Sequence, residues 1–129
     1  MMFPETFIYR FRVPFHQVDR AGILFFAHVF THAHDAYEAF MRQEGLELGE
    51  VVDAGKVSIP LVHAQADYHY PLRHGDDIRV ELSVGATDKT SVAVEYGFFN
   101  AENIRCVTVN TVHVFVRKTT GGNPAYVGH

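Results

Sequence analysis

Only one stretch of this 129-residue chain carries the periodicity of a helix, and every other patterned stretch alternates. Phe26, Val29, Phe30, Ala33, Tyr37, Phe40 and Met41 fall at steps of three and four, so they share one stripe, while Thr31, Asp35, Glu38 and Arg42 take the opposite side. Glu38 and Arg42 stand at the i,i+4 spacing that pairs favourably. The pattern predicts an amphipathic, half-buried helix that begins near Leu24 to Ala27 and stops around Glu44 and Gly45, glycine being the usual residue past a C-cap.

The rest of the chain reads as strands. In residues 6–13, Phe7, Tyr9, Phe11 and Val13 face one way against Thr6, Arg10 and Arg12, and Pro14 ends the run. Residues 46–57 form a short connection containing Gly49 and Gly55. From Ser58 to Tyr70 the apolar set is Val62, Ala64, Ala66, Tyr68 and Tyr70, and the alanines would let a helix lie close across it; His63, Gln65, Asp67 and His69 share the other face, too polar for core, as an interface or pocket mouth would be. Ile78, Val80, Leu82 and Val84 mark the next strand, and Val92, Val94, Tyr96 and Phe98 the one after. Ile104 to Arg117 is apolar on both faces, as expected of a central strand. Asp88-Lys89 and Asn100 to Asn103 are the hairpin turns, and residues 118–129 look like a loose tail.

One helix must then cover one face of a five-stranded antiparallel sheet, which leaves the other face for a partner subunit or a second helix. The expected architecture is α+β: a hotdog fold, with the sheet wrapped around one long helix and residues 1–129 forming a single domain. A chain this short is marginal for enclosing a small-molecule cavity by itself, so a subunit interface would supply missing walls.

Composition excludes several functions. Eleven Lys and Arg against 15 Asp and Glu give a net charge of −4, with no basic stripe interleaved with aromatics, which argues against nucleic acid. The single Cys106 rules out an internal disulfide and fits a reducing, cytoplasmic compartment; its apolar strand makes it a small core residue. The start lacks the basic and apolar regions of a secretion signal, and no unbroken apolar run is long enough to span a bilayer, so neither export nor membrane insertion is expected. Nine histidines invite a metal, with His28 and His32 at i,i+4 and His34 close by, yet there is no His-Glu-x-x-His and no cysteine pair. We expect no metal, and histidines in structural or interface roles.

Chemistry concentrates just before the helix. Asp19 lies three residues before Gly22, and the peptide N–H groups that open the helix have no intrahelical partners, so with the dipole they attract developing negative charge. An aspartate before a helix is most often a cap or a solvated loop residue; the Gly22 and Phe25-Phe26 context favours catalysis here. Phe25, Phe26 and Phe30 are candidates to wall an acyl pocket, although Phe30, like Phe40, also fits plain core. His16 stands near enough to Asp19 to tune it or to touch substrate.

The run Val18-Asp19-Arg20-Ala21-Gly22-Ile23-Leu24-Phe25-Phe26 resembles the Asp-x-x-Gly-(Ile/Val)-(Val/Leu)-aromatic-aromatic signature of the 4-hydroxybenzoyl-CoA thioesterase family, and Ile59 to Val62 and His74-Gly75-Asp76 are similar to its later strand and hairpin. The resemblance implies hydrolysis of an acyl-CoA thioester by dimers or homotetramers, with active sites at the subunit interface, coenzyme A as part of the substrate, and no metal or redox cofactor. It also implies roles: Asp19 as nucleophile or general base, the Phe26 backbone N–H as oxyanion donor, Gly22 allowing close approach, and Lys89 with Thr90 and Ser91 near the nucleotide phosphates. The segment His34 to Glu38 resembles the 1,4-dihydroxy-2-naphthoyl-CoA branch, and His34 occupies the place where the 4-hydroxybenzoyl branch has a carboxylate for its phenol. Two rivals from other classes are a hotdog hydratase or dehydratase acting on enoyl-CoA or acyl-carrier protein, which needs a histidine and a second acid, and a non-catalytic acyl-CoA-binding module.

Overall fold

The computed structural model describes residues 6–44, 57–118 and 124–126. Each alternating stretch becomes a strand: β1 (Phe7–Arg12), β3 (Leu61–Tyr68), β4 (Asp77–Thr87), β5 (Ser91–Phe99) and β6 (Arg105–Val114). The helical stripe becomes α1 (His28–Gln43), preceded by one 3-10 turn at Phe15–Gln17, and three short strands complete the order: β2 (Val57–Ser58), β7 (Val116–Lys118) and β8 (Pro124–Tyr126). The five long strands form one antiparallel sheet in the order β1-β4-β5-β6-β3.

The core lies between α1 and one face of that sheet. Ile78, Val80 and Leu82 of β4, Val94, Tyr96 and Phe98 of β5, and Val107 and Val109 of β6 meet Val29, Ala33, Ala36, Tyr37 and Phe40 of the helix, all of them buried. Ala33 and Ala36 keep that helix face thin, and Phe40 meets Phe7 edge-on at 5.6 Å. The Asn100 turn is also as read: its side-chain oxygen accepts the N–H groups of Glu102 and Ile104, and Asn103 adopts a left-handed φ of 63°. Free Cys106 is buried.

Three expectations need correction. Ala64, Ala66 and Tyr68 do stand on the helix side, paired with Thr111, Val109 and Val107, but α1 does not cross them. It rests on the β1 and β4 side, and β3 is the far edge. A helix is ~10 Å wide and strands are ~4.8 Å apart, so one helix covers two or three strands and cannot reach the fifth. Only Ala66 of β3 is even partly buried.

The last long strand also breaks, at Phe115. Its N–H donates to the Thr90 carbonyl and that of Val114 to the Pro60 carbonyl, after which β7 joins β2 and β8 in a separate three-stranded sheet. Pro60 has no N–H to extend the β3 ladder, so the chain before it pairs elsewhere. Finally, within the 118–129 tail expected to be loose, residues 124–126 pair as β8, antiparallel to β7, while 119–123 and 127–129 lie outside the described residues. Gly45 and most of the 46–57 connection lie outside the described residues, so the helix ends here at Gln43 with Glu44 as its C-cap.

Candidate active site

After β1 the chain makes a small closed loop that presents Asp19. Val18 bridges Leu24, the Asp19 N–H donates to the Ile23 carbonyl at 2.8 Å, and the Gly22 N–H donates back to the Asp19 carbonyl at 2.9 Å. Gly22 sits at φ +78°, a conformation that strains any residue with a Cβ, so glycine here closes the loop. Its carbonyl accepts the His74 N–H at 2.9 Å, while Leu24 donates to the Leu72 carbonyl at 2.7 Å, sewing the loop to residues 71–76. Within it, Asp19 Oδ1 accepts the N–H groups of Ala21 (2.8 Å) and Ile23 (3.2 Å). One oxygen therefore holds the carboxylate in place, and Oδ2 has no hydrogen-bond partner among the described residues.

The loop leads straight into α1. Ala27 is the N-cap, one residue past Phe26; no side chain caps the helix and its first turn contains no acidic residue. The entering turn uses i,i+3 bonds, from the N–H of His28 to the Phe25 carbonyl (2.9 Å) and from that of Val29 to the Phe26 carbonyl (3.3 Å). The Phe26 N–H meets no acceptor among the described residues, so a main-chain donor stands at the positive end of the dipole. Tyr68, at the end of β3, donates its hydroxyl to the Phe26 carbonyl at 2.8 Å and so ties the edge strand to the helix tip. Burial raises the pKa of that phenol, which keeps it a donor.

These parts border one cleft of about 460 Å³. Asp19, Phe25 and Phe26 line it, and Tyr68, His69 and Tyr70 stand among the opposing residues, above Val29 and Leu72. The volume falls in the range of small-molecule sites, and its surface is largely aromatic.

The other predicted residues lie elsewhere. Gly22 shapes the loop from behind without lining the cleft, and Phe30 is half-buried against the core, as the alternative reading had it. His16 is exposed on the 3-10 turn, and His34 is exposed on the helix with its ring 6.2 Å from that of Tyr37; neither lines the cleft. Lys89, Thr90 and Ser91 occupy the β4–β5 hairpin, near the strand end marked by Leu61 rather than Tyr68. Seven residue steps of β3 at ~3.3 Å place that hairpin roughly 23 Å from the cleft within one protomer. Its own order comes from Asp88, whose Oδ1 accepts the N–H and hydroxyl of both Thr90 and Ser91, bonds that lower the Asp88 pKa. The three helix histidines diverge, His28 half-buried, His32 buried and His34 exposed, and among the described residues no His, Cys, Asp and Glu side chains group as a metal would need.

Sequence reasoning missed the tyrosines of the opposing wall. Tyr68 and Tyr70 were legible only as the apolar side of an alternating strand, whereas His69 belongs to the polar face expected at an interface or pocket mouth and does line the cleft; the missed signal was two hydroxyl-bearing aromatics placed just before Pro71, where the strand must stop.

With that geometry in view, comparison with known proteins is informative. Residues 13–126 match the family described as the thioesterase-like superfamily. The chain is 32% identical over 109 residues to the 1,4-dihydroxy-2-naphthoyl-CoA hydrolase of Synechococcus elongatus, spanning 84% of this chain and 79% of that protein. It is 31% identical over 96 residues to the protein of the same name from Crocosphaera subtropica, spanning 74% and 70%. A solved 1,4-dihydroxy-2-naphthoyl-CoA thioesterase from Synechocystis superposes with a TM-score of 0.85 at 28% identity, over 95% of this chain and 89% of that one. A DHNA-CoA thioesterase from Staphylococcus aureus has the same TM-score, 0.85, at 15% identity over 95% and 80%, a likeness of fold alone. This chain belongs to the thioesterase-like superfamily and carries its hotdog fold.

Proposed function

We propose that this protein hydrolyses an aromatic acyl-CoA thioester to the free acid and coenzyme A. The observation that carries this reading is that Asp19 and Phe26, whose N–H has no acceptor among the described residues, line the same cleft. A thioester carbonyl is already electrophilic, so the reaction asks only for a nucleophile and a donor to the oxyanion. Asp19 either attacks the carbonyl carbon, expelling the CoA thiolate and leaving a mixed anhydride that water then opens, or takes a proton from the water that attacks. In both routes the Phe26 N–H receives the carbonyl oxygen as it becomes an oxyanion, a kind of contact whose loss typically costs about 3 to 4 kcal/mol of barrier. Phe25, Phe26, Tyr68 and Tyr70 offer flat apolar surface to a ring, and the names of the relatives point the same way. Coenzyme A enters only as part of the substrate, and the chemistry asks for no metal or redox cofactor.

The same reading extends to assembly. Among the described residues the β3 edge is bare, with Leu61, Val62 and Tyr68 each about half exposed, beside exposed Phe25 and Phe26. An unpaired edge of this kind is a template for another strand. Antiparallel pairing with β3 of a second copy exchanges the two ends of the strand, and so carries the second copy's Lys89 hairpin toward this cleft and its nucleotide. The functional unit is accordingly a homo-oligomer, a dimer or a homotetramer built from two, with its sites at the subunit interface. The free, buried Cys106 suits a reducing, cytoplasmic setting, and no described helix is long and apolar enough to cross a membrane.

A thiol-release screen over benzoyl, hydroxybenzoyl, dihydroxynaphthoyl and straight-chain CoA esters tests the reading, run beside Asp19→Asn. Aromatic esters should turn over fastest, and the variant should fold normally and lose about a hundredfold or more in kcat. Full activity in Asp19→Asn removes the carboxylate from the mechanism. Hydration of an enoyl-CoA without thiol release would instead identify a hydratase, and CoA-ester binding without turnover a binding module.

A further inference from the structure

Outside the lining of the cleft, the Asp19 loop is fastened to the helix by a residue the mechanism has not used. Gln17 lies two positions before Asp19 and directs both of its carbonyls to the same part of the chain. Its main-chain oxygen accepts the N–H of Phe25, the neighbour of the oxyanion donor, at 2.9 Å. Its side-chain oxygen is 2.7 Å from Nε2 of His32, in the second turn of α1. His32 is one of the few polar side chains in the core, only 7% exposed. Its ring is stacked on that of Phe11 in β1, with centroids 3.8 Å apart and planes within 6°. Phe11 in turn meets Phe98 edge-on at 6.0 Å. A buried ring stacked this way is held in place, so the direction of its Nε2 is set by the core.

We propose that Gln17 and His32 are positioning residues, a latch that transmits the rigidity of the core to the Asp19 loop and so sets where the carboxylate stands relative to the Phe26 N–H. This rests on the reading of Asp19 as the catalytic carboxylate. The loop's other bonds fix it to itself and to residues 71–76, through buried Leu24 and Leu72 at one point and through Gly22 and exposed His74 at another, but none of them reaches a side chain of α1. Gln17 alone among the described loop residues joins the loop base to a buried side chain of the helix whose tip supplies the donor. Removing the latch leaves the helix and the loop each intact while freeing their mutual angle. Rates respond steeply to such freedom, because displacing a reacting group by about 1 Å costs on the order of a hundredfold. A substitution that only weakened the fold would lower the active fraction and leave kcat per folded site unchanged.

The experiment measures kcat and KM per folded site, with melting temperature, on the best ester of the thiol-release panel. Gln17→Leu removes the acceptor, His32→Phe keeps a ring on Phe11 but removes the donor, and Gln17→Glu keeps an acceptor for His32. Gln17→Leu and His32→Phe should each lower kcat by roughly 10- to 100-fold with KM within about twofold, the double variant should be no slower than the worse single one, and Gln17→Glu should stay within about threefold of the parent. Unchanged kcat in both single variants, or losses that multiply in the double, overturns the latch. If His32→Phe fails to fold, the contrast between Gln17→Leu and Gln17→Glu decides alone: equal kcat in the two overturns it. Asp19→Asn is run alongside. Loss of turnover there with no loss in the latch variants defeats the latch only, and full turnover in Asp19→Asn defeats the underlying mechanism and the latch with it.

Discussion

The two ends of the sheet treat polar groups in opposite ways. At the end near Leu61, α1 and the sheet enclose a polar chain and pair its members: His113 is stacked on Tyr37 at 4.3 Å and 5°, its Nε2 is 3.1 Å from Thr111 Oγ1, and that hydroxyl is 3.3 Å from the Tyr96 hydroxyl. At the end near Tyr68, Asp19 and Phe26 line an open cleft, and one carboxylate oxygen of the first and the main-chain N–H of the second have no partners among the described residues. Polar groups buried without partners cost stability, and proteins pair nearly all of them. The contrast separates polar groups that serve the fold, satisfied and enclosed, from those left available to a substrate.

The largest effect that would sharpen this contrast comes from acid. Burial, with a smaller contribution from His34 and against a hydrogen bond involving the Ile59 backbone, pushes the His113 pKa down from 6.5 to about 4. The unfolded chain binds a proton near pH 6.5 and the folded chain not until about pH 4. This contribution is therefore fully present above pH 6.5 and lost as pH falls toward 4, by up to about 3 kcal/mol. His32, whose pKa burial also lowers, acts in the same direction. Urea unfolding at neutral and mildly acid pH measures the loss, and His113→Phe should flatten much of the slope; an equally steep slope in that variant would place the titration elsewhere.

Tyr68→Phe comes next, at the cleft end. It removes the hydroxyl that holds the Phe26 carbonyl, and one such bond is worth about 1 kcal/mol, so kcat should fall several-fold with little change in melting temperature. Stability lost without any change in kcat would move Tyr68 to the structural side of the comparison. Lys89→Ala should have the smallest effect. Exposed on the hairpin, it should alter stability by less than about 0.5 kcal/mol and raise KM for CoA esters more than it lowers kcat, since it contributes binding common to ground and transition states. An unchanged KM would place the phosphates away from the hairpin.

Much of this arrangement was legible in the sequence, for reasons that differ by residue. Local periodicity identifies α1 and β1, β4, β5 and β6 because one face of each turns to the core; β3 alternates as well, although only its Ala66 is partly buried. The Asp19 loop was legible because a glycine at its tip and a helical stripe behind it are local signals. Phe25 and Phe26 were legible as cleft walls for the same reason. The tyrosines of the opposing wall were not, because Tyr68 and Tyr70 reach the loop only through strand pairing across some forty residues of chain, and only the polar face carrying His69 signalled a pocket mouth or interface. His32 illustrates the limit further: a structural role could be read from the sequence, but not that its partner is Gln17.

Taken alone, the sequence determined the one helix and the five long strands, the hairpin turns between the later strands, and that a carboxylate and a glycine precede the helix start. Tertiary structure alone decided that β3 is the far edge, that the helix stops short of it, that the Lys89 hairpin lies at the opposite end from Asp19, and that Gln17 meets His32. The physical reason is that periodicity reports how one segment divides between water and core, whereas the lateral order of strands and the meeting of distant side chains depend on which segments compete for the same buried surface.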